Sequence, residues 1–263
     1  MYRFDYANPQ SIESVVESLQ ADSEATIIAG GMTLLPTMKL RLAAPSQLLD
    51  ITRIDTLHGI QIAEGEISIG AATTHARVAA DAQIQTRLPA LAGLANGIGD
   101  PQVRNRGTLG GSVANNDPAA DYPAAVLALN ATIVTDRREI SADDFFTDMF
   151  ETALDDDEII VSVKFPIPEF ANYVKFPSPA SRYALVGVFV ARSGGQVRVA
   201  ITGAGPYVFR FKDAEAALEQ RFHADALVDV SYPADELNED LHADASYRAN
   251  LITVLTKRAL TSG

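Results

Sequence analysis

The chain has 263 residues, 47 % apolar and 21 % charged, enough apolar material for a core in one large domain or two modest ones. A formal net charge of −13 argues against nucleic acid as the main partner, because phosphate backbones need a basic face. With no cysteine, disulfides, thiolate catalysis and thiolate-held metal are excluded, an iron–sulfur cluster on this chain alone is disfavoured, and the four histidines show no metal-ligand spacing.

The N-terminal stretch MYRFDYANPQ has no apolar signal-peptide core. The longest strongly apolar run, Tyr183 to Ala191, is too short for a bilayer. The expectation is a cytoplasmic protein that does not enter the membrane.

Residues 11–20, SIESVVESLQ, predict a short amphipathic helix with Ser11 as N-cap and Ile12, Val15, Val16 and Leu19 on one face. ATIIAGG (25–31) reads as a buried strand running into glycines. QLLDIT (47–52) and EISIGAAT (66–73) are strand-like, the second by its alternation. Residues 74–98 read as helical, with Pro89 marking a break or a new start. DYPAAVLALN fits a short buried helix, and ATIVT and EIIVSVKFPI fit strands. Asp155 to Glu158 reads as a solvated turn between those strands. Pro166 and Pro168 then break the chain, and a boundary is expected near residue 168. Beyond it, LVGVFVA and QVRVAIT flank a Ser-Gly-Gly turn, an antiparallel hairpin signal. DAEAALEQRF and SYRANLITVLTKRAL close the chain as helices. Strands mix with helices in both halves, which gives an α+β or α/β class.

Two glycine turns carry the chemistry. In IIAGGMTLLPTMK (27–39) a buried strand ends in Gly30-Gly31, and paired glycines let backbone N–H groups converge on an anion. In RNRGTLGGSVANNDPAAD (104–121) Gly107, Thr108, Gly110, Gly111 and Ser112 offer N–H and hydroxyl donors. Asn115 and Asp121 could bind hydroxyls, as a carboxylate does for a ribose or ribityl diol. Either turn alone reads as an ordinary loop. A ligand with a pyrophosphate and a polyol would satisfy both. A dinucleotide-binding GxGxxG is absent, since the nearest match has Val208 in the third glycine's place.

AGGMTLLPTMKLRLAAPSQLLDI, GDPQVRNRGTLGGSVANNDPAADYPAA and YVKFPSPASRYALVGVFVA together resemble the FAD-binding medium subunit of molybdenum hydroxylases, the carbon monoxide dehydrogenase, xanthine dehydrogenase and aldehyde oxidoreductase family. The resemblance runs in order along nearly the whole chain. It implies an α+β fold: a p-cresol methylhydroxylase-like FAD-binding domain of two α/β subdomains (residues 1–168), and a C-terminal flavoprotein domain (169–263) with a small three-stranded antiparallel sheet and helices. It implies that Ala29, Gly30, Gly31, Met32, Thr33, Leu34 and Leu35 wrap the pyrophosphate and adjoining FAD atoms. Thr108, Gly110, Gly111 and Ser112 would form the second pyrophosphate wall. Asn115 and Asp121 would lie near the ribityl and pyrophosphate groups, and Ile160 at the adenine or ring edge. Lys175 would lie near the flavin. Ile98 stands where some relatives carry an aromatic that packs on the cofactor, and Ser112 where family members often carry Asn.

The family's division of labour implies an electron-transfer subunit with no catalytic residue and no metal of its own. Electrons would come from [2Fe–2S] clusters on an iron–sulfur small subunit, after substrate oxidation on a large subunit carrying the molybdenum cofactor. They would leave to NAD, a quinone or oxygen. FAD would be held non-covalently, and the assembly would be a dimer of heterotrimers. Two other readings remain at this point: a self-sufficient flavin dehydrogenase or oxidase, and an assembly module that has lost FAD.

Overall fold

The structure, a computed structural model, describes residues 1–63 and 65–261. The first layer is a parallel sheet of β1 (Asp5–Ala7), β2 (Thr26–Ile28) and β3 (Gln47–Asp50), ordered β1-β3-β2. Parallel strands need crossovers. Here α1 (Ile12–Ala21) and α2 (Leu34–Lys39) supply them. The Ser11 cap of α1 is present as a capping box: the Ser11 hydroxyl accepts from Ser14 N–H, and Ser14 reaches back to Ser11 N–H. Val15 and Leu19 then face Leu49, Ile51 and Leu57 in a small core.

The second layer starts with the hairpin β4 (Ile60–Ala63) and β5 (Glu66–Gly70). The expected helical run over 74–98 is three helices, α3 (His75–Ala80), α4 (Ala82–Arg87) and α5 (Pro89–Asn96). Pro89 opens α5, as expected, but a second break falls at Asp81, whose carboxylate caps α4 by accepting from the Gln83 and Ile84 amides. Next come α6 (Pro101–Arg106), α7 (Leu109–Asn115) and α8 (Tyr122–Ala128), then β6 (Thr132–Thr135), β7 (Glu139–Ser141) and α9 (Ala142–Phe145). A ribbon of β8 (Phe146–Asp148) and β9 (Glu151–Thr152) precedes β10 (Ile160–Pro166). The five-stranded antiparallel sheet runs β4-β5-β10-β6-β7 and shares an apolar core with α8, whose seven residues are all buried.

The acidic run before β10 is only partly a solvated turn. Glu158 is buried at 4 % exposure, because Arg138 grips its two carboxylate oxygens at 2.9 and 2.6 Å. That bidentate clamp holds the Glu158 carboxyl down at about 2.

A further antiparallel sheet begins at Phe170: β11 (Phe170–Pro177), β12 (Ala184–Ser193), β13 (Gln196–Thr202) and β14 (Phe209–Arg210), paired in that order. The expected small antiparallel sheet thus has three long strands and a two-residue edge strand. The β12–β13 hairpin turns through Gly194 and Gly195, with φ of +56° and +82°. α10 (Lys212–Gln220) and α11 (Ala245–Thr261) cover one face and enclose an apolar core. Among the described residues no helix is long and apolar enough to cross a membrane.

Arg248 on α11 ties this half together. It is 3 % exposed and donates to Leu185 O at 2.8 Å, Gly203 O at 2.9 Å and Asp240 at 2.8 Å. Replacing Arg248 by Met leaves two buried carbonyls without that donor and Asp240 with only the His242 and Ala243 amides as partners. Its expected cost is about 3 kcal/mol by urea unfolding, in the range for removing one partner of a buried charge network.

Candidate functional site

The two glycine turns lie on top of each other. β2 delivers the chain to Gly30-Gly31, and Gly31 adopts φ +71°, a left-handed conformation that excludes most side chains. A Cβ on Gly30 would collide with the Arg106 carbonyl and come within 2.8 Å of Gly107 Cα. One layer deeper, a Cβ on Gly107 would lie 2.5 Å from His75 Nε2, and one on Gly110 would lie 2.5 Å from Ala71 Cβ. Each glycine therefore permits a backbone approach that a side chain would block.

The two turns differ in what their amides do. In the second turn the donors are already engaged: Leu109 N–H bonds Thr73 O, Gly110 N–H bonds Ala71 O, Gly111 N–H bonds the Thr108 hydroxyl and Ser112 N–H bonds Thr108 O. Thr108 caps α7, and the turn is stitched to the end of β5 and the start of α3. The expectation of a second wall of backbone donors therefore gives way to a wall of close-packed backbone, because a helix cap and the neighbouring segment consume those N–H groups. In the first turn, among the described residues, nothing accepts from the amides of Gly30, Gly31, Met32 or Thr33. Free amides facing one space form an anion-binding nest.

That space is a cavity of about 540 Å³. Ala29, Gly30, Gly31, Met32, Thr33 and Leu34 line it from the first turn. Thr108, Gly110, Gly111, Ser112, Asn115 and Asp121 line it from the second, and Ile98 and Ile160 add apolar wall. Two residues of the sequence-based set stand back from the wall. Leu35, in the first turn of α2, turns its side chain into the small core around Met38, where it fills the space a Cβ on Gly31 would need. Lys175 lies on β11 and reaches the site through Asp121. Residues outside the assigned set also line the cavity, notably His75, Asp117 and the Ser181–Arg182–Tyr183 turn between β11 and β12. The Thr-Thr-His run opening α3 was the available signal for His75, whereas Ser181 to Tyr183 arrive on the turn that joins β11 to β12.

Asp121 is 5 % exposed and joins both halves. It accepts from the Tyr173 hydroxyl at 2.5 Å, and Lys175 Nζ stands 3.0 Å from its carboxylate. Burial raises the Asp121 pKa, and the Lys175 charge and the Tyr173 hydroxyl oppose that rise. The Tyr173 hydroxyl is pushed well upward by burial and the neighbouring carboxylate, so it stays a donor. Lys175 also donates to Gly97 O at 2.9 Å, Arg104 to Ile98 O at 2.9 Å and Gly99 O at 3.1 Å, and Arg182 to Gly99 O at 3.4 Å. Three cations from separate elements thus hold three consecutive carbonyls, and the loop they hold presents Ile98 to the cavity.

Fold and cleft together describe an α+β protein with a cavity bordered by a glycine turn of unbonded amides and by apolar side chains such as Ile98 and Ile160. Residues 2–168 match the family described as the FAD binding domain in molybdopterin dehydrogenase. The chain belongs to that family and is an FAD-binding medium subunit of the molybdenum hydroxylases. It is 36 % identical to the carbon monoxide dehydrogenase medium chain of Hydrogenophaga pseudoflava, over 99 % of this chain and 96 % of that one. It is 35 % identical to the nicotine 6-hydroxylase medium subunit of Paenarthrobacter nicotinovorans, over 97 % and 95 %. Among solved structures, the Hydrogenophaga pseudoflava carbon monoxide dehydrogenase superposes with a TM-score of 0.87 at 37 % identity, covering 98 % of this chain and 96 % of that one. Quinoline 2-oxidoreductase from Pseudomonas putida 86 gives 0.85 at 29 % identity, covering 99 % and 96 %.

Two outcomes follow from the electrostatics. Asp121→Leu strands Lys175, whose side chain is 11 % exposed, and is expected to cost about 3 kcal/mol; pairing it with Lys175→Met recovers part of the loss in a double-mutant cycle by urea unfolding, the Tyr173 hydroxyl still lacking its acceptor. His75 has its pKa lowered to about 4 by burial and by the Arg104 charge. The folded state thus favours neutral imidazole, and that contribution is complete above pH 6.5. As pH falls from about 6.5 towards 4 the unfolded chain takes up the proton first, removing about 3 kcal/mol. Urea unfolding at pH 7.5 and 4.5 is expected to show that loss in wild type and a smaller one in His75→Gln.

Proposed function

We propose that this chain is the electron-transfer subunit of a molybdenum hydroxylase. It takes electrons from [2Fe–2S] clusters on an iron–sulfur small subunit and passes them to NAD, a quinone or oxygen. The molybdenum cofactor belongs to a large subunit, and the assembly is a dimer of heterotrimers. Residues 1–168 form the FAD-binding domain and 169–263 the C-terminal flavoprotein domain. The observation that carries the reading is the first glycine turn, whose free amides line the cavity of a family that binds FAD. The names of its relatives, a medium chain and a medium subunit, support a place in a multi-subunit enzyme. The lack of any cysteine supports clusters on another chain.

Bound FAD supplies the redox chemistry, and the protein supplies orientation and electrostatics. The amides of Gly30, Gly31, Met32 and Thr33 hold the pyrophosphate, beside Ala29 and Leu34. The Thr108–Ser112 backbone closes the opposite side as a steric wall, with the Ser112 hydroxyl and Asn115 available to the ribityl chain. Ile98 and Ile160 pack against the flat ends of the ligand. Asp121, with Lys175 and Tyr173 on one side, offers its remaining lone pairs to a ligand hydroxyl. Lys175 brings a positive charge near the ring, but one already paired with Asp121. The FAD is held non-covalently.

The test is a titration of purified protein with FAD, followed by flavin fluorescence, and acid precipitation of the loaded protein. The expected result is saturable uptake, flavin released intact into the supernatant, and loss of uptake in Gly31→Val, whose branched side chain cannot adopt φ +71° without strain. No uptake by the wild-type chain, alone or with its partner subunits, overturns the assignment.

A further inference from the structure

His75 borders the cavity, is 5 % exposed, and among the described residues neither of its ring nitrogens has a hydrogen-bond partner. The two nitrogens face different surroundings. Nδ1 is sealed inside, with the ring tilted against Tyr122 at 5.3 Å between centroids. Nε2 lies against Gly107, the residue on which Gly30 of the first turn rests. A Cβ at position 107 would fall on Nε2, so only glycine lets the backbone lie this close to the ring, and Nε2, unlike Nδ1, is not sealed.

Burial and the Arg104 charge keep the ring neutral at ordinary pH, so it carries one proton. Placed on Nδ1, that proton would be a buried donor with nothing to accept it, the rarer and costlier kind of orphan. Placed on Nε2, it leaves the sealed nitrogen as a bare acceptor and turns the donor towards the cavity.

We propose that His75 is a further binding residue of this site, donating a hydrogen bond from Nε2–H to a phosphate oxygen of the dinucleotide where the two glycine turns meet. This rests on the FAD reading above. It adds a neutral side-chain donor to the backbone donors of the first turn.

The test combines FAD affinity with the imidazole's own signal. Wild type, His75→Leu and His75→Gln are titrated with FAD as full-length proteins, and each apoprotein is melted in parallel. A hydrogen bond to a charged group predicts about ten- to hundredfold weaker binding in His75→Leu, with most of it regained in His75→Gln, whose amide reaches the Nε2 position. Unchanged affinity in His75→Leu overturns the proposal. So does equal weakening in both variants, which would make the ring a space-filler under Gly107. Should His75→Leu not fold, histidine-labelled wild type is read by nitrogen-15 NMR. An Nε2–H tautomer whose resonance moves on FAD addition supports the proposal, and an unmoved resonance or an Nδ1–H tautomer overturns it. A wild-type chain that takes up no FAD overturns the flavin reading itself, before any variant is compared.

Discussion

A single buried carboxylate organises this molecule. Asp121 comes from the segment leading out of the second glycine turn, yet its partners Tyr173 and Lys175 both sit on β11, the first strand of the C-terminal sheet. A lone carboxylate at that depth would be neutral or unstable. Two donors from β11 let it remain an acceptor, so the segment before α8 must meet β11 at this point. Lys175 passes the constraint on by holding Gly97 O, which fixes one end of the loop carrying Ile98. The cavity's outline therefore depends on a pairing between the two halves of the chain rather than on either half alone.

Much of the fold was legible where the deciding chemistry is local. The Ser11 cap, the Ser-Gly-Gly hairpin and the Pro89 start each depend on neighbours a few residues away, and each appears where the sequence places it. The errors lie where the deciding partner is distant. Glu158 reads as solvated among three aspartates until Arg138 folds over it. The amides of Gly110 and Gly111 read as free donors until Ala71 and Thr108 claim them. A glycine-rich stretch announces close approach of backbone, but whether the approaching group is a ligand or the chain itself is decided by tertiary structure. Both glycine turns therefore marked the cavity's position, while only the first kept its donors for a ligand.

The cavity wall is uneven in character. One side is backbone with unspent hydrogen-bonding capacity, one is backbone packed to its steric limit, and the remainder is apolar side chains such as Ile98 and Ile160. An extended ligand with a charged middle and flat ends matches that sequence of surfaces. The cation-held carbonyls of residues 97–99 bear on the same shape, because a loop tethered by Lys175, Arg104 and Arg182 cannot shift without breaking bonds to several elements.

The order of strands in the larger sheet also bears on how the protein is made. β10 is central, flanked by β5 and β6, yet it is the last of the five strands in the chain. The hairpins β4–β5 and β6–β7 share no edge with each other, so during synthesis each emerges with an open side. Neither can be closed until Ile160–Pro166 has left the ribosome. Such long-range closure is slow and leaves strand edges available to wrong partners in the meantime. The strand that ends this exposure also carries Ile160 into the cavity. A nascent chain thus gains protection from aggregation in the step that sets one apolar wall of the cavity, ahead of the β11 pairing with Asp121 that completes its outline.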